Sequence, residues 1–382
     1  MKGPVLKGLE YLRSKFCAAS MEIHIKPYLC SRSCIKYIMS WEDKKMKKLI
    51  AGALTAAMVL GTVTPVAVFA DEKQDLTLGL MLSDNTNQFF STLEDAFKKA
   101  AEDAGYEVIS LSSGNDAAKD VTNMEDLLTQ SPDVIVYNPV DSDAAGDAVA
   151  MANDAGIPVV TVDRAANSGD IVCHIASDNV YGGEIAAQYI VDQLPDGGQV
   201  VEIQGQAGAS ATNERGEGFH NIMDDNDKFE VVVSQTGNWS SSEAMSVMEN
   251  ALTANPDIKA VFCHNDQMAL GAIEACQQAD RDDIVIVGFD ADADNLDAIK
   301  AGTQAATVRQ LPALMGETAV EVCGKIAAGE EVEASIGTEV ELVTADNVDA
   351  DATAEEDATA EEEAATEEEA ATEEEAETTD AE

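Results

Sequence analysis

From Leu76 onward, short apolar runs alternate with longer amphipathic stretches, and Gly, Asn or Asp punctuates the junctions. An unbroken apolar run is what a strand buried on both faces requires. Its recurrence with polar turns and amphipathic helices is the pattern of a parallel sheet covered on both sides. The runs Leu76 to Leu82, Val108 to Leu111, Val134 to Tyr137, Val159 to Val162 and Ile171 to Ile175 predict one set of strands. A second set begins after Asp178, at Val200 to Ile203, Val231 to Val233, Ala260 to Cys263 and Ile284 to Val287. Between them lie helices. In Phe89 to Ala104 the positions Phe90, Leu93, Phe97, Ala100, Ala101 and Ala104 keep near one face, and Gly105 supplies the usual terminator. Right-handed crossovers make each set a doubly wound unit, in which ligands bind outside the carboxyl ends of the strands. The expected fold class is therefore α/β, with two doubly wound parallel-sheet lobes facing one cleft.

Two aspartates stand where such a cleft opens. Asp163 closes Pro158-Val-Val-Thr-Val-Asp and precedes Arg164, while Asp290 closes Ile284-Val-Ile-Val-Gly-Phe-Asp. A carboxylate beside a guanidinium or a ring can accept two hydroxyl protons from a polyol while a flat face packs on the C–H side. The competing explanation is that each merely caps the next helix, as Asp often does. Polar and aromatic residues just past the other strand ends complete the candidate site: Ser83, Asn87, Phe89, Phe90, Asn138, Arg164, Arg215, Trp239, Asn265, Phe289 and Gln310. The set holds amide and guanidinium donors, two carboxylates and aromatic rings, but no His, Cys or Ser–base pair suited to covalent chemistry. It predicts a sugar site, with no catalytic residues, no cofactor and no metal. Taken singly, each member has a plainer role: core for the phenylalanines, surface pairs for the arginines, and a turn for Asn138 before Pro139.

Composition changes the picture mainly at the ends of the chain. The 382 residues are 45% hydrophobic, enough for two cores once the termini are set aside. Met46-Lys-Lys precedes an apolar stretch from Leu49 to Ala67, and Val68-Phe-Ala70 fits a signal-peptidase site, so residues 46–70 read as an export signal cleaved before Asp71. Thr62, Thr64 and Pro65 interrupt the run and speak against a membrane anchor. The signal places the mature chain outside the cytoplasm, in the periplasm or on the outer side of the cytoplasmic membrane. Residues 1–45 lie upstream of that signal and read as a misassigned extension; Cys30-x3-Cys34 within them is half a metal site without its other half. The remaining cysteines, Cys173, Cys263, Cys276 and Cys323, are scattered through apolar segments and are expected as buried free thiols. A formal charge of -49 leaves no basic stripe for phosphate, which argues against nucleic-acid partners. In residues 350–382 Ala-Thr-Glu-Glu-Glu-Ala recurs with no Lys or Arg, so self-repulsion predicts an extended, solvated tail.

Several of these segments resemble the ribose-binding proteins of bacterial ABC importers, members of the type I periplasmic binding fold. The resemblance spans roughly residues 75 to 345. It lies in Ser83-Asp-Asn-Thr-Asn-Gln-Phe-Phe, Asn138-Pro-Val-Asp-Ser-Asp-Ala, Pro158-Val-Val-Thr-Val-Asp-Arg, His174-Ile-Ala-Ser-Asp-Asn, Glu214-Arg-Gly-Glu-Gly-Phe, Asn265-Asp-Gln-Met-Ala-Leu-Gly, Val287-Gly-Phe-Asp and Gln310-Leu-Pro. It implies that Asn87, Asp163, Arg164, Arg215, Asn265, Asp290 and Gln310 hydrogen-bond the sugar while Phe89, Phe90 and Phe289 enclose its ring. Trp239 departs from the pattern, standing where these binders usually carry Phe; a larger ring narrows the pocket. The resemblance also implies three crossovers between lobes, with residues 75–177 and 311–339 in one and 178–310 and 340–349 in the other. The implied partners are a monosaccharide, D-ribose above allose or galactose, and a membrane permease with its ATPase subunit. A chemoreceptor or sensor kinase is the alternative reader, and a monomer is expected. A repressor of the LacI type shares the fold, but the export signal, the acidity and the absence of a basic helix-turn-helix before Leu76 count against it. An enzyme is disfavoured because no G-x-G-x-x-G follows Leu76 to Leu82 and no G-x-x-x-x-G-K-[ST] occurs.

Overall fold

The structure, a computed structural model, describes residues 76–349; the expected upstream extension, export signal and acidic tail lie outside them. Strands β1 (Thr77–Leu82), β2 (Glu107–Ser112), β3 (Val134–Tyr137), β4 (Val159–Val162), β5 (Cys173–Ser177) and β11 (Ser335–Thr338) form a six-stranded sheet. Its order is β11-β5-β4-β3-β1-β2, and every neighbouring pair is parallel. A second six-stranded sheet holds β6 (Gly198–Gln204), β7 (Phe229–Thr236), β8 (Ile258–Cys263), β9 (Val285–Asp290), β10 (Ala306–Arg309) and β12 (Glu341–Thr344). Its order is β12-β10-β9-β8-β6-β7, parallel except for the antiparallel β10–β12 pair. Both sheets thus repeat one doubly wound order, in which the second strand added lies outside the first and the third returns to its other side. The chain passes between sheets three times: after β5, after β10 and after β11.

The helices are α1 (Gln88–Ala104), α2 (Ala117–Thr129), α3 (Ala145–Asp154), α4 (Asn179–Gln193), α5 (Ser210–Met223), α6 (Ser241–Ala254), α7 (Asp266–Gln278), α8 (Ala293–Ala301) and α9 (Pro312–Ala327). α1 shows how the local signals act together. Asn87 caps it by accepting from the Phe89 N–H, and Gly105 ends it at φ 77, a left-handed backbone that suits a residue without a Cβ. Its buried face (Phe89, Phe90, Leu93, Phe97, Ala101) packs on β1, β3, β4 and β5, and on Met315, Ala319, Val320 and Cys323 of α9. A helix late in the chain therefore completes the first core. Truncating Phe97, fully buried there, to Ala would cost about 3–5 kcal/mol. On the second sheet, Ala186, Ala187 and Ile190 of α4 meet Phe219 and Met223 of α5 over Val200, Phe262, Phe289 and Val308. Cys173, Cys263, Cys276 and Cys323 are buried free thiols.

The expected strands are present, with differences at their ends. The fifth lies at Cys173–Ser177 rather than Ile171 to Ile175 because its last residues, Ala176 and Ser177, pair with Gly337 and Thr338 of β11, a partner far along the chain. The ninth runs on to Asp290 because β10 continues the ladder to Arg309↔Asp290. The seventh extends from Phe229 to Thr236 along an edge, well past Val231 to Val233.

Candidate ligand-binding site

Every polar loop of interest leaves the carboxyl end of a strand. In the first sheet Ser83, Asp84 and Asn87 follow β1, with Phe89 and Phe90 opening α1; Asn115 follows β2, Asn138 follows β3, and Asp163 with Arg164 follows β4. The second sheet presents Ala211 and Arg215 on α5 after β6, Trp239 after β7, Asn265 after β8, Phe289 and Asp290 at the end of β9, and Gln310 after β10. Side chains from both sheets line one cavity. Among the residues expected from sequence, Asn87, Phe89, Phe90, Asp163, Arg164, Arg215, Trp239, Asn265, Asp290 and Gln310 line it. Ser83, Asn138 and Phe289 stand behind the wall. Ser83 N–H donates to Asn138 Oδ1 (3.2 Å), Asn138 Nδ2 donates to Asp163 Oδ2 (2.9 Å), and Phe289 lies under the Arg215 guanidinium at 3.7 Å. Asp84, Asn115 and Ala211 also line the cavity and were not anticipated. Asp84 and Asn115 sit in Ser-Asp-Asn and Gly-Asn-Asp stretches that read as turns, which hides a second use.

The backbone rejects the capping explanation for the two aspartates. Asp163 has φ 60 and Asp290 φ 127, neither is a helix N-cap, and the N-cap of α8 is Asp292. Such conformations cost of order 1–3 kcal/mol for a residue with a side chain, and they gather where a site imposes them. Trp239 (φ 62) is held the same way, and its ring edge lies where a Cβ at residue 205 would be, so Gly205 makes room for the indole.

Two buried arginines balance the carboxylates. Arg164 Nε faces Asp163 Oδ2 at 3.6 Å, and its guanidinium lies 5.5 Å from the Phe90 ring and 5.4 Å from the Trp239 ring. Arg215 donates from Nε to Asn179 Oδ1 (2.9 Å) and from Nη1 to the His264 carbonyl (2.6 Å), and Nη1 faces Asp290 Oδ1 at 3.9 Å. Burial pulls both arginines below their ordinary pKa, opposed by Asp163 beside the first and Asp290 beside the second. Asp290 is pushed well above the carboxylate range by burial and then by the Asp292 carboxylate; Arg215, and the Gln310 amide donating at 2.7 Å, oppose this. Beneath it, burial brings Asp266 to about 6 although Thr307 Oγ1 (2.7 Å) and the Asp292 N–H (2.9 Å) donate to it. Burial, with Asp266 nearby, brings Asp292 to about 7.

A further buried group steadies the second sheet's end of the site. Glu202, fully buried, accepts from His264 Nε2 (3.0 Å), Gln204 Nε2 (3.0 Å) and Ser234 Oγ (2.5 Å). Burial opposes its ionisation, but these donors outweigh that and hold its pKa low. Since the His264 carbonyl receives Arg215, the carboxylate fixes the strand end on which the arginine leans. Glu202 reads locally as one polar position of a strand, so only the assembled sheet exposes this use.

Several polar atoms of the site have no protein partner though solvent does not reach them: Ser83 Oγ, Asn115 Oδ1, Trp239 Nε1, Asn265 Nδ2 and Gln310 Oε1. Buried polar atoms are ordinarily paired, so this concentration marks a place built for a polar guest. Donors and acceptors are mixed, as hydroxyl groups require, and aromatic walls suit a C–H face. No group of His, Cys, Asp and Glu among the described residues could hold a metal ion, and none of their helices is long and apolar enough to cross a membrane.

Loops from the two sheets also touch outside the cavity. Ser142 N–H donates to the Gly208 carbonyl (2.9 Å), Ser210 N–H to Ser142 Oγ (3.1 Å), and Ala165 N–H to Ser210 Oγ (2.9 Å). On the other rim, Ala293 N–H donates to Gln88 Oε1 (3.3 Å).

Comparison with known proteins follows the same lines. Residues 78–331 match the periplasmic binding protein domain family. The chain is 45% identical over 298 residues to the ribose import binding protein of Salmonella typhimurium, covering 78% of this chain and 98% of that one. It is 42% identical over 306 residues to the ribose import binding protein of Bacillus subtilis, covering 78% and 99%. A solved ABC transporter solute binding protein from Bacillus halodurans with bound myo-inositol superposes with a TM-score of 0.69 at 33% identity, over 73% of this chain and 97% of that one.

Proposed function

The chain belongs to the periplasmic binding protein family, and from that premise we propose that it is the extracytoplasmic solute-binding component of an ABC sugar importer, taking D-ribose between its two sheets. The family consists of substrate-binding transport proteins rather than enzymes, and it works outside the cytoplasmic membrane. The observation that carries the ribose assignment is the cavity itself, where residues with unpartnered amide and indole atoms from both sheets join two carboxylates and two arginines. The relatives named for ribose import lend it support.

In this mechanism the sugar binds one lobe and the lobes close on it about the three crossings. We place the lobes at residues 75–177 with 311–339 and 178–310 with 340–349. Asp163, Arg164 and Asn87 then hold hydroxyls from one side, Arg215, Asn265, Asp290 and Gln310 from the other, and Phe89 and Phe90 cover the ring. Because the second set reaches the sugar only when the lobes meet, ligand favours the closed form by its differential affinity. The closed form is what a permease with its ATPase subunit reads, and a chemoreceptor could read the same surface. Trp239 narrows the pocket and favours a pentose over a hexose.

A thermal-shift panel of pentoses and hexoses tests this. A ligand at roughly a hundred times its Kd adds about 2.7 kcal/mol of stability, and ribose is expected to give the largest shift. A larger shift from a hexose would move the assignment to that sugar, and no shift from any monosaccharide would remove it.

A further inference from the structure

One polar residue of the cavity wall, Asn115, belongs to neither the expected set nor the resemblance. Asn115 follows β2 with φ 58, after Gly114 at φ 57, and its N–H donates to the Ser83 carbonyl at 2.7 Å, tying the loop after β2 to the loop after β1. Asn tolerates the left-handed backbone better than most residues, which would explain its presence as a turn former. A turn former ordinarily turns its amide to water. Here Asn115 lines the cavity, and its Oδ1 is out of solvent's reach with no protein partner.

The neighbouring acceptors on this rim are already engaged. Asp84 Oδ1 accepts from the N–H groups of Asn85 (2.8 Å) and Thr86 (3.2 Å), and Oδ2 from Thr86 Oγ1 (2.8 Å). Asn87 Oδ1 accepts from the Phe89 N–H that it caps, at 2.8 Å. A ligand hydroxyl arriving between the loops after β1 and β2 therefore finds in Asn115 an acceptor that no protein donor occupies. We propose that Asn115 is a specificity-determining contact, whose side-chain amide accepts a hydrogen bond from one hydroxyl of the bound sugar. This rests on the cavity being a monosaccharide site and adds that one edge of the sugar must carry a hydroxyl donor.

The test is a coupling experiment. Asn115→Gly removes the amide while suiting the left-handed backbone, so a loss of fold is not expected, and circular dichroism of the free protein verifies this. Calorimetry then compares wild type and variant with ribose and with analogues lacking one hydroxyl at a time. The expected result is a loss of roughly three- to tenfold on ribose that disappears with the one analogue missing the partner hydroxyl. Unchanged affinity for ribose, or an equal loss with every analogue, overturns the assignment of Asn115. An Asp290→Ala control separates the two levels: if wild type binds ribose and Asp290→Ala weakens it while Asn115→Gly does not, only this inference fails. If wild type binds no sugar in the panel, the reading of the cavity fails and the inference with it.

Discussion

The two aspartates occupy matching places, each at the carboxyl end of the fourth strand of its half, yet their surroundings differ in how much further acid they hold. Asp163 meets the Asn138 amide at 2.9 Å and Arg164 at 3.6 Å. Asp290 meets Arg215 and Gln310, but the carboxylates of Asp266 and Asp292 stand close enough to raise its pKa. Both halves thus hold the carboxylate beside a guanidinium and an amide, and the second adds further buried acid. Matching geometry does not imply matching electrostatics.

The sharpest way to break this contrast is to neutralise each side chain with little change of shape. In Asp163→Asn the Arg164 charge is left buried without its counter-ion, so the free protein is expected to melt at a lower temperature. In Asp290→Asn relief of the crowding by Asp266 and Asp292 offsets the loss of the Arg215 counter-ion, so the free protein is expected to melt less far below wild type at pH 7 than Asp163→Asn does. Both should lose ribose affinity by roughly tenfold to a hundredfold, because hydrogen bonds to charged groups are worth about 1.5–3 kcal/mol. Arg215→Ala should lose as much. Melting curves that move together for the two Asn variants would show that the halves are electrostatically alike.

A pH series sharpens the same contrast. Asp266 at about 6 and Asp292 at about 7 both lie above the roughly 3.9 of an unfolded aspartate, so between those values the folded chain holds more protons than the unfolded one. Their contribution to stability is fully present below about pH 4 and is lost as pH rises through the folded values, because ionisation is harder in the fold. Asp292→Asn should therefore stabilise the protein at pH 8, by on the order of a few kcal/mol, and leave it unchanged near pH 4. Removing that charge also eases ionisation of Asp290, so ribose affinity should persist to more acidic pH than in wild type. Chemical denaturation at both pH values, with calorimetry, checks both parts; equal stabilisation at pH 4 and pH 8 would contradict the titration account.

These electrostatics were not legible in the sequence, whereas the frame that holds them was. Apolar runs, turn residues and the Gly105 terminator suffice for two doubly wound sheets, because strand burial and helix capping are local. Missed or shifted elements depend on remote partners: β5 ends where β11 pairs with it, and β9 is prolonged by β10. The site divides in the same way. Residues immediately past strand ends, such as Asp163 and Asn265, were found by position alone. Asp84 and Asn115 lie in stretches that read locally as turns, and Glu202, Asp266 and Asp292 act through a burial that only the packed second sheet creates. Asn138 and Phe289 sit at strand ends like the others yet face the side chains behind the wall, an orientation that strand position does not specify.

Trp239 offers a smaller effect and compares the halves by size rather than charge. Its ring lies 5.4 Å from Arg164 and 5.7 Å from Arg215, beside both guanidinium groups. Trp239→Phe keeps a ring there but removes volume and the unpartnered indole N–H. Because Phe keeps part of the cation–π attraction, ribose affinity should change by no more than roughly fivefold, equivalent to about 1 kcal/mol, while affinity for hexoses such as allose rises. Calorimetry showing hexose binding unchanged would mean that something other than the indole sets the pocket's width.

The smallest effect concerns contacts between the halves that avoid the sugar altogether. Ser142 Oγ accepts from the Ser210 N–H at 3.1 Å, and Ser210 Oγ accepts from the Ala165 N–H at 2.9 Å, so each hydroxyl satisfies a backbone donor of the opposite lobe. Both bonds exist only while the loops touch, and neither serine lines the cavity. Removing one should therefore favour the open form without altering the pocket. A neutral hydrogen bond contributes about 0.5–1.5 kcal/mol, so Ser142→Ala or Ser210→Ala should weaken every sugar by the same factor, roughly two- to tenfold. Uniformity is the diagnostic feature. A residue that touches ligand changes the ranking of sugars, whereas one that only holds the lobes together scales all affinities alike, because the closed state costs the same free energy whichever sugar is inside. Calorimetry with ribose and one weaker sugar decides it, and a changed ratio between the two would place these serines in recognition rather than in closure.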